Sequence, residues 1–373
     1  MTSTPSPLSK APAAMMTEHF TLSGTAVPVD THRMLDEICD HFIEHAEVYR
    51  RDGGARLETI IGNAEIDIVE NALKIELVCP MSKFIPSARS MIAEHLFEFA
   101  GDEPLELTWS EEPNPHFLPN FREATVIRTA EVTPHMRRVT VACRNVEQFV
   151  DAGMHIRLMI PQGSGRHDGV PSWPGMLPDG RVDWPDEADM AVRIYTIRSV
   201  DLKRGLLDID FVLHDAAEGE AMPGAEFALE AKPGDVIGIM GPGGDGAAHD
   251  GPLLIFGDES ALPAIGRMAD EAMPTATIRA FIEIDGPADE QKLTSKAALD
   301  ITWLHRNGAK AGTMRLLEPC LREAVETAVP GTYIWSACEK AEARAMRDFL
   351  KARGHDRKQM SISAYWQKPK IKA

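Results

Sequence analysis

The stretch RIYTIRS, residues 193–199, places two arginines, a tyrosine and a threonine within one strand-like segment. In an extended chain, Arg193 and Tyr195 project to one face, and Thr196 and Arg198 to the other. An exposed edge strand tolerates all of these residue types. A ligand with anionic groups, a flat ring and a hydrogen-bonding atom would also use them. The surrounding sequence has to decide between these two interpretations.

Short strand-like segments flank this stretch on both sides. TVIRTAEV, RRVTVAC, HIRLMIP, LLDIDFVLH and DVIGIMG follow one another from Arg122 onward, which is typical of a small antiparallel barrel. The segment 163–189 is rich in glycine and proline and is predicted to be a long loop within the barrel. After residue 250, strands alternate with helices, which predicts a parallel sheet with crossover helices.

The amino-terminal part has a different pattern. Residues 1–24 are rich in Ser, Thr, Pro and Ala, which predicts a disordered tail. HRMLDEICDHFIEHAEVYRR has helical periodicity, and strand-like pieces, a second helix and the strand LELTWS follow it. A proline-rich linker, EEPNPHFLPNF, comes next. The prediction is a multidomain chain: an α+β accessory domain over 25–112, an antiparallel β-barrel over 120–248, and an α/β domain with a parallel sheet over 250–373.

Composition excludes several classes of function. The 373-residue chain has 57 acidic residues against 39 lysines and arginines, a net charge of −18. This argues against nucleic-acid binding, which needs a basic face, but allows a local basic pocket for an anionic small molecule. Five cysteines without a C-x-x-C pair indicate a reducing compartment. Because the sequence contains no signal-peptide core and no membrane-spanning run, we expect a cytoplasmic protein without membrane insertion. The sequence does not determine the oligomeric state, and it is compatible with a monomer.

Two other patterns carry little chemistry. GPGGDG, residues 241–246, lacks the G-x-G-x-x-G spacing of a dinucleotide fingerprint. We interpret it as a linker whose first residues end a barrel strand. His41 and His45 are four residues apart on the first predicted helix, but the sequence places no further ligand beside them. No metal site is therefore predicted.

Several motifs, taken in order, carry a family resemblance. RIYTIR matches the R-x-Y-[TS]-x-R flavin signature of ferredoxin-reductase-type enzymes. DFVLH, KPGDVIGIMGPGG, GDESALPAIGRM, WLHRNGA and SACE…RDFL…SAYW resemble the siderophore-interacting proteins, a family of ferric-siderophore reductases. The resemblance spans about residues 122–367. The amino-terminal segments HFIEH, ENALKIEL and EHLFEFAGDEPLELTW resemble a small domain of unassigned function that occurs alone or fused to such proteins.

The resemblance implies FAD in the barrel, NADPH or NADH on the α/β domain, and a role for individual residues. Arg193 would lie at the FAD phosphates. Tyr195 against the isoalloxazine ring and Thr196 near N5 would be the catalytic residues. The other cofactor-binding positions that it implies are Arg198 and His214 near the flavin, and Asp258, Glu259, Cys338 and Glu339 near the nicotinamide nucleotide.

Two stretches depart from the family pattern. The usual G-P-A-S-x-W run is MPGAEF here, so Ala225 replaces a serine that binds flavin phosphate and Phe227 replaces the tryptophan. The usual G-Y-W-[RK] ending is AYWQ, so Gln367 replaces a cation. Lys368 or Lys370 would supply that charge to the substrate.

The function implied by the resemblance is NAD(P)H-dependent reduction of a ferric siderophore, which releases Fe(II) for iron acquisition. Oxygen-donor siderophores hold Fe(III) far better than Fe(II), so reduction frees the metal and no protein iron ligand is needed. Two alternatives remain open. One is a ferredoxin-reductase-type flavin oxidoreductase with another acceptor, such as a quinone. The other is a non-enzymatic siderophore-binding protein that has lost its flavin, for which Ala225 is the argument.

Overall fold

The computed structural model describes residues 19–43, 46–150, 152–163, 171–213, 222–246 and 249–368. The chain divides into two compact units, Met1–Pro119 with Pro174–Trp184, and Asn120–Trp173 with Pro185–Ala373. Among the described residues, no helix combines the length and the apolar character needed to cross a membrane.

The first unit is an antiparallel six-stranded sheet that shares one core with two helices. Its elements are β1 (Phe20–Pro28), α1 (Thr31–Phe42), β2 (Glu47–Arg51), β3 (Gly54–Thr59), β4 (Gly62–Val69), β5 (Ala72–Cys79), α2 (Ile85–Ala100), β6 (Leu105–Trp109), and the short pair β10 (Gly175–Met176) and β11 (Val182–Asp183). The strand order is β2-β3-β4-β5-β1-β6. Alternating apolar residues of the strands meet the apolar faces of α1 and α2, as the sequence periodicity predicts.

Two boundaries in this unit differ from the sequence prediction. β1 begins at Phe20, so residues 20–24 form a strand rather than part of a tail. The buried face of β1 includes the small residues Gly24 and Ala26, so the strand lacks a clear alternation of large apolar and polar residues in the sequence. The helix α1 ends at Phe42, and the EVYRR segment that the sequence placed in it forms β2 instead. Val48 and Tyr49 favour a strand, and β2 pairs with β3 along its whole length.

The sequence placed residues 163–189 in a loop of the barrel, but β10 and β11, within this segment, belong to the first unit. The indole N–H of Trp109 donates to the backbone oxygen of Asp179 at 2.7 Å. The backbone N–H of Val182 donates to the Glu94 carboxylate at 2.8 Å. Contacts between positions so distant in the chain leave no local signal in the sequence.

The second unit begins with a closed six-stranded barrel of order β12-β13-β8-β7-β14-β9. Its elements are β7 (Phe121–Thr133), β8 (Met136–Cys143), β9 (Gly153–Pro161), β12 (Met190–Asp201), β13 (Leu206–Val212), α3 (Pro223–Glu230) and β14 (Val236–Gly246). Inward-facing residues of all six strands and of α3 fill the barrel. The sequence therefore predicted the barrel strands well.

The glycine run GPGGDG is part of β14 rather than a linker. β14 continues to Gly246 and pairs with β9, with register shifts, as far as Gly153. A Cβ on Gly153 would lie 2.1 Å from the backbone oxygen of Gly243. The two strands approach so closely that only glycine fits at position 153. Within the run, Gly241 and Gly244 have positive φ values of 142° and 75°, which favour glycine.

The rest of the second unit is a five-stranded parallel sheet of order β17-β16-β15-β18-β19. Its elements are β15 (Pro252–Gly257), α4 (Leu262–Glu271), β16 (Thr277–Ile284), β17 (Ala298–His305), α5 (Leu317–Glu326), β18 (Tyr333–Glu339), α6 (Lys340–Ala352) and β19 (Met360–Trp366). Apolar clusters cover both faces of the sheet, as in other parallel sheets. The strand order reverses beside β15, and the carboxyl ends of β15 and β18 are where open α/β sheets bind ligands. The sequence did not predict α5.

Candidate functional site

A cavity of about 730 Å³ lies in the second unit, between barrel strand β12 and strand β19 of the parallel sheet. Five consecutive residues of β12, 192–196, line it. The strand pairs with β13 on one side and β9 on the other, so the exposed-edge interpretation of RIYTIRS is wrong. The remaining lining residues are His155, Asp210, Val212, Met222, Pro223, Gly224, Ala225, Ser260, Pro263, Ser363, Ala364, Tyr365 and Trp366.

The Tyr195 side chain is held in this cavity by contacts of its ring and of its hydroxyl group. Its centroid lies 4.3 Å from that of Phe211, which packs in turn on Phe227. The Tyr195 hydroxyl lies against Gly224, where a Cβ would be 1.7 Å from the hydroxyl oxygen. Burial raises the pKa of Tyr195 to about 12. The side chain is therefore a neutral phenol that presents a flat, immobile surface.

Arg193 and the amino end of α3 give the cavity an anion-binding character. The Arg193 guanidinium donates to Glu187 at 2.6 Å, and its side chain is 40% exposed. Gly224 and Ala225, in the first turn of α3, line the same cavity. The N-cap residue Met222 has no side-chain cap, and its N–H donates to the Glu226 carboxylate of the first turn at 3.4 Å. Other N–H groups of a first helical turn lack intrahelical partners. An anionic group here would meet one cation and the positive end of a helix.

A chain of hydrogen bonds crosses the cavity wall from the barrel to β19. The hydroxyl of Thr196, a residue only 5% exposed, lies 3.3 Å from Nδ1 of His155. The Nε2 atom of His155 lies 3.0 Å from the hydroxyl of Tyr365. His155 and Thr196 are directly opposite each other in the β9–β12 register. Each of the three side chains lines the cavity.

Arg198 lies elsewhere, although it belongs to the same sequence motif. Its guanidinium donates to Asp270 of α4 at 2.6 Å and packs against Gly266. It is absent from the described cavity lining and instead joins the barrel to α4. A β-bulge in β12 between Ile197 and Ser199 shifts the alternation at this point. His214, the other flavin position implied by the sequence, lies outside the described residues.

Asp258 is a buried acceptor for several internal donors. Its carboxylate accepts from the Ser260 N–H at 3.0 Å, from the Trp366 indole at 2.7 Å and from the Glu339 N–H at 3.2 Å. Burial raises the pKa of Asp258 to about 6, although the bonds from Ser260 and Trp366 oppose this. Its side chain therefore ties β15, β18 and β19 together. Ser260, rather than Asp258, reaches the cavity.

Glu259 and Glu283 share one arginine in the interior. Glu259 accepts two hydrogen bonds from Arg306, one of them at 2.8 Å, and all three residues are less than 8% exposed. Glu283 is 3.5 Å from the same guanidinium, and its Oε2 atom has no hydrogen-bond partner among the described residues. Burial, with Glu342 nearby, raises the pKa of Glu283 to about 8. One carboxyl group is thus ion-paired, and the other is mainly neutral at pH 7.

The last three positions implied by the resemblance also have internal contacts. Cys338 is fully buried, and burial raises the pKa of its thiol. The Glu339 carboxylate caps α6 by accepting from the Ala341 N–H at 2.7 Å. Lys368 donates from Nζ to the backbone oxygen of Gly312 at 2.5 Å and is exposed. Lys370 is outside the described residues.

Within the described part of the chain, one group of side chains has the spacing of a metal site: His135, Asp285 and Asp289. The His135 Nδ1 atom already lies 3.0 Å from the Asp289 carboxylate. That hydrogen bond raises the pKa of His135. The group connects the β7–β8 turn to the segment after β16. His45 of the helical pair considered above lies outside the described residues.

Comparison with known proteins decides the family. Residues 125–246 match the siderophore-interacting FAD-binding domain, and residues 252–369 match the siderophore-interacting protein domain. A siderophore utilization protein from T. fusca, known from its crystal structure, is 31% identical, with a TM-score of 0.56 over 70% of this chain and 98% of that one. The chain belongs to the siderophore-interacting protein family.

Two curated relatives extend the comparison. A ferric vibriobactin reductase of Vibrio cholerae is 30% identical over 205 residues, 54% of this chain and 70% of that protein. An uncharacterized protein of Mycobacterium tuberculosis is 33% identical over 261 residues, 65% of this chain and 89% of that protein. Residues 25–110 match an uncharacterized domain conserved in bacteria. The amino-terminal unit thus has a known relative but no assigned chemistry.

The sequence of this siderophore-interacting protein gave no role to His155, Tyr365 or Ser260. A signal for His155 exists in retrospect, because HIRLMIP precedes RIYTIRS and consecutive strands of a barrel often pair. Tyr365 belongs to the quoted SAYW motif, but its side chain reaches the barrel only through the tertiary fold. The sequence analysis therefore identified the cavity residues on β12, and it missed those on β9, β19 and the β15–α4 connection.

Proposed function

We propose that this protein is an NAD(P)H-dependent FAD oxidoreductase that reduces ferric siderophores and thereby releases Fe(II). One observation carries the proposal: Arg193, Tyr195, Thr196 and the amino end of α3 line a single cavity. The family membership and the name of the Vibrio cholerae relative support the choice of a siderophore as substrate.

The residues of the cavity fit FAD. Its volume of about 730 Å³ is in the usual range of roughly 300–1,000 Å³ for ligand sites. Tyr195 would stack on the isoalloxazine ring, Thr196 would supply a hydroxyl toward N5, and Arg193 with the α3 amino end would bind the pyrophosphate. Ala225 lacks the serine hydroxyl of the family, but it keeps its place at the helix end. Bound FAD would supply the electron chemistry, accepting hydride and giving up electrons singly.

The carboxyl end of the parallel sheet supports a nicotinamide nucleotide beside this cavity. Ser260, in the β15–α4 connection, and Pro263, in the first turn of α4, line the cavity. The first turn of α4 contains no acidic residue, so its amino end is favourable for phosphate. The side chains of Asp258, Glu259 and Glu339 are occupied by internal partners. We propose that these three carboxylates stabilise the carboxyl edge of the sheet. We further propose that the backbone of these residues, together with Cys338, lies beside the nicotinamide ring.

The five cysteines are free thiols, which fits a reducing cytoplasmic location, where NAD(P)H is supplied. Lys368, exposed two residues after the cavity-lining Trp366, would attract an anionic ferric complex.

Anaerobic spectroscopy of the purified protein tests this function. Protein incubated with FAD and desalted should retain the flavin spectrum. NADH or NADPH should bleach it, and a ferric tris-catecholate should restore it while an Fe(II) chelator reports the released metal. A colourless protein after saturation with FAD would contradict the proposal. A flavin that is reoxidised by quinones but not by ferric complexes would instead indicate the alternative acceptor.

A further inference from the structure

We propose that His155 and Tyr365 relay the proton that flavin N5 loses when the reduced cofactor passes its electrons to iron. This inference rests on the proposed function. It gives a role to two side chains that lie on the cavity wall beyond Thr196.

The three side chains have the chemistry of a relay. A neutral imidazole has one donor and one acceptor nitrogen, and a hydroxyl can act as either. The hydroxyls of Thr196 and Tyr365 lie on the two nitrogens of His155, at 3.3 and 3.0 Å. Thr196 is buried, whereas His155 and Tyr365 are partly exposed. His155 can therefore accept a proton at Nδ1 from the Thr196 side and release another proton from Nε2 to the Tyr365 hydroxyl and solvent.

The fold holds His155 in this position. Gly244 has a positive φ of 75°, and a Cβ there would lie 2.4 Å from Cδ2 of the His155 ring. The glycine run of β14 thus leaves the space that the imidazole occupies. The Tyr365 ring meets the imidazole edge-on, at 5.3 Å between centroids and 87° between planes. Such a fixed geometry is what proton transfer requires.

His155 also has no rival as proton acceptor among the described lining residues. The carboxylate in that lining belongs to Asp210, which Arg138 binds at 2.6 and 2.8 Å. The cation in it is Arg193, paired with Glu187. Tyr195 titrates far above neutral pH. An imidazole is the group that exchanges protons near pH 7.

The balance of the reaction assigns the relay to one half of the cycle. Hydride from NAD(P)H brings two electrons and its own proton to N5, so reduction takes no proton from the protein. Two ferric ions then take one electron each: FADH⁻ + 2 Fe(III) → FAD + 2 Fe(II) + H⁺. The released proton is the one that passes from Thr196 to His155 and on to Tyr365.

The test compares His155→Gln with wild type and with His116→Gln, a control at an exposed position of the first unit. His155→Gln should bind FAD and be reduced by NAD(P)H like wild type. Its reoxidation by ferric tris-catecholate should be slower by about 100-fold, the scale of a lost proton-transfer group, and should show a larger solvent deuterium isotope effect than wild type, because proton loss then limits the rate. The flavin midpoint potential, measured against pH by spectroelectrochemistry, should show a bend in wild type and in His116→Gln that disappears in His155→Gln.

Tyr365→Phe provides a second variant, because it keeps the contact between His155 and Thr196 but removes the outer hydroxyl. It should slow reoxidation and leave reduction unchanged. If reoxidation and the pH dependence of the potential are the same in both variants as in wild type, the relay is wrong, while an active wild type upholds the proposed function. Should His155→Gln fail to fold, an unchanged Tyr365→Phe is enough to overturn the relay. A wild type that binds no FAD overturns both proposals.

Discussion

The barrel wall and the carboxyl edge of the parallel sheet both carry polar residues that the family motifs mark for cofactor binding, but they use them differently. On the barrel, Arg193, Tyr195 and Thr196 line an open cavity. At the sheet edge, the carboxylates of Asp258 and Glu259 bind donors of the protein itself. A sequence motif therefore locates a region, and the tertiary partners determine which of its atoms are available to a ligand.

Burial is the physical origin of this difference. A buried charge is costly unless it is paired, and breaking such a pair costs more than the pair contributes. Asp258, Glu259 and Arg306 are all less than 8% exposed, so their partners are required for folding. Arg193, with a side chain 40% exposed, can exchange water for a phosphate. Substitutions at the edge should therefore change stability, and substitutions on the barrel wall should change affinity.

The largest effect is expected for Glu259→Gln. The substitution leaves the buried Arg306 guanidinium with the backbone oxygen of Ala309 at 3.2 Å and the mainly neutral Glu283 at 3.5 Å, and so without its ion-pair partner. The free energy of unfolding should fall by about 3–5 kcal/mol, the usual cost of breaking a buried ion pair. Urea unfolding at pH 7, followed by circular dichroism, measures it. A loss close to zero would mean that the edge is not held by this pair.

Glu283→Gln is the matched control, because an amide resembles a neutral carboxyl group. Its stability should be close to that of wild type below about pH 4.5 and higher than that of wild type at pH 7, because the wild-type carboxyl group has to take up a proton on folding at pH 7. In wild type, the pKa of Glu283 is raised by folding, so its protonated form favours the folded state. Its contribution is present below about pH 4.5 and is lost as the pH rises toward about 8. The decline in stability between these values should be smaller in Glu283→Gln, and an unchanged decline would assign it to other groups.

The second prediction concerns the barrel wall. Arg193→Ala should weaken FAD binding by roughly 1.5–3 kcal/mol, the scale of a hydrogen bond to a charged group. Because the side chain is partly exposed and its protein partner is a surface glutamate, the fold should be unaffected. Fluorescence titration of the apoprotein with FAD measures the affinity. Equal affinity in wild type and Arg193→Ala would remove Arg193 from the pyrophosphate site.

Arg198→Gln provides the contrast on the same strand. Arg198 pairs with Asp270 and is absent from the described cavity lining. We expect a loss of stability, because the link between β12 and α4 is broken, with FAD affinity of the folded protein close to wild type. A strong loss of FAD affinity with unchanged stability would restore Arg198 to the flavin site, as the sequence motif implied.

How far the sequence predicts this molecule depends on the range of the contacts. Alternation and helical periodicity placed most strands of the barrel and sheet, because these patterns are local. For His155, the partner of Thr196, the sequence indicated only that it belongs to a preceding strand. Asp270, the partner of Arg198, is 72 residues away on α4. Such pairings are set by the closure of the barrel and by the bulge in β12. The motif therefore named Arg193 and Arg198 alike, and only the fold separates them.

The smallest expected effect belongs to Lys368, whose side chain is exposed at the end of β19 and contacts the backbone of Gly312. The family cation is replaced here by Gln367, whose amide oxygen accepts from Lys340 at 3.1 Å. If Lys368 supplies the missing charge, Lys368→Ala should weaken binding of a trianionic ferric tris-catecholate by about 0.2–1 kcal/mol, the range for exposed charge pairs. The effect should shrink as salt is raised, because exposed charges are screened over about 10 Å at 0.1 M. Lys340→Ala is the control. It also removes one exposed positive charge, but Lys340 lies at the start of α6 and donates to Gln367, whereas Lys368 lies two residues after the cavity-lining Trp366.

Quenching of protein fluorescence by the ferric complex, at low and high salt, measures the affinity of both variants. Equal losses in the two would show a general effect of net charge, and no loss in either would show that the barrel side of the cavity binds the substrate without this lysine.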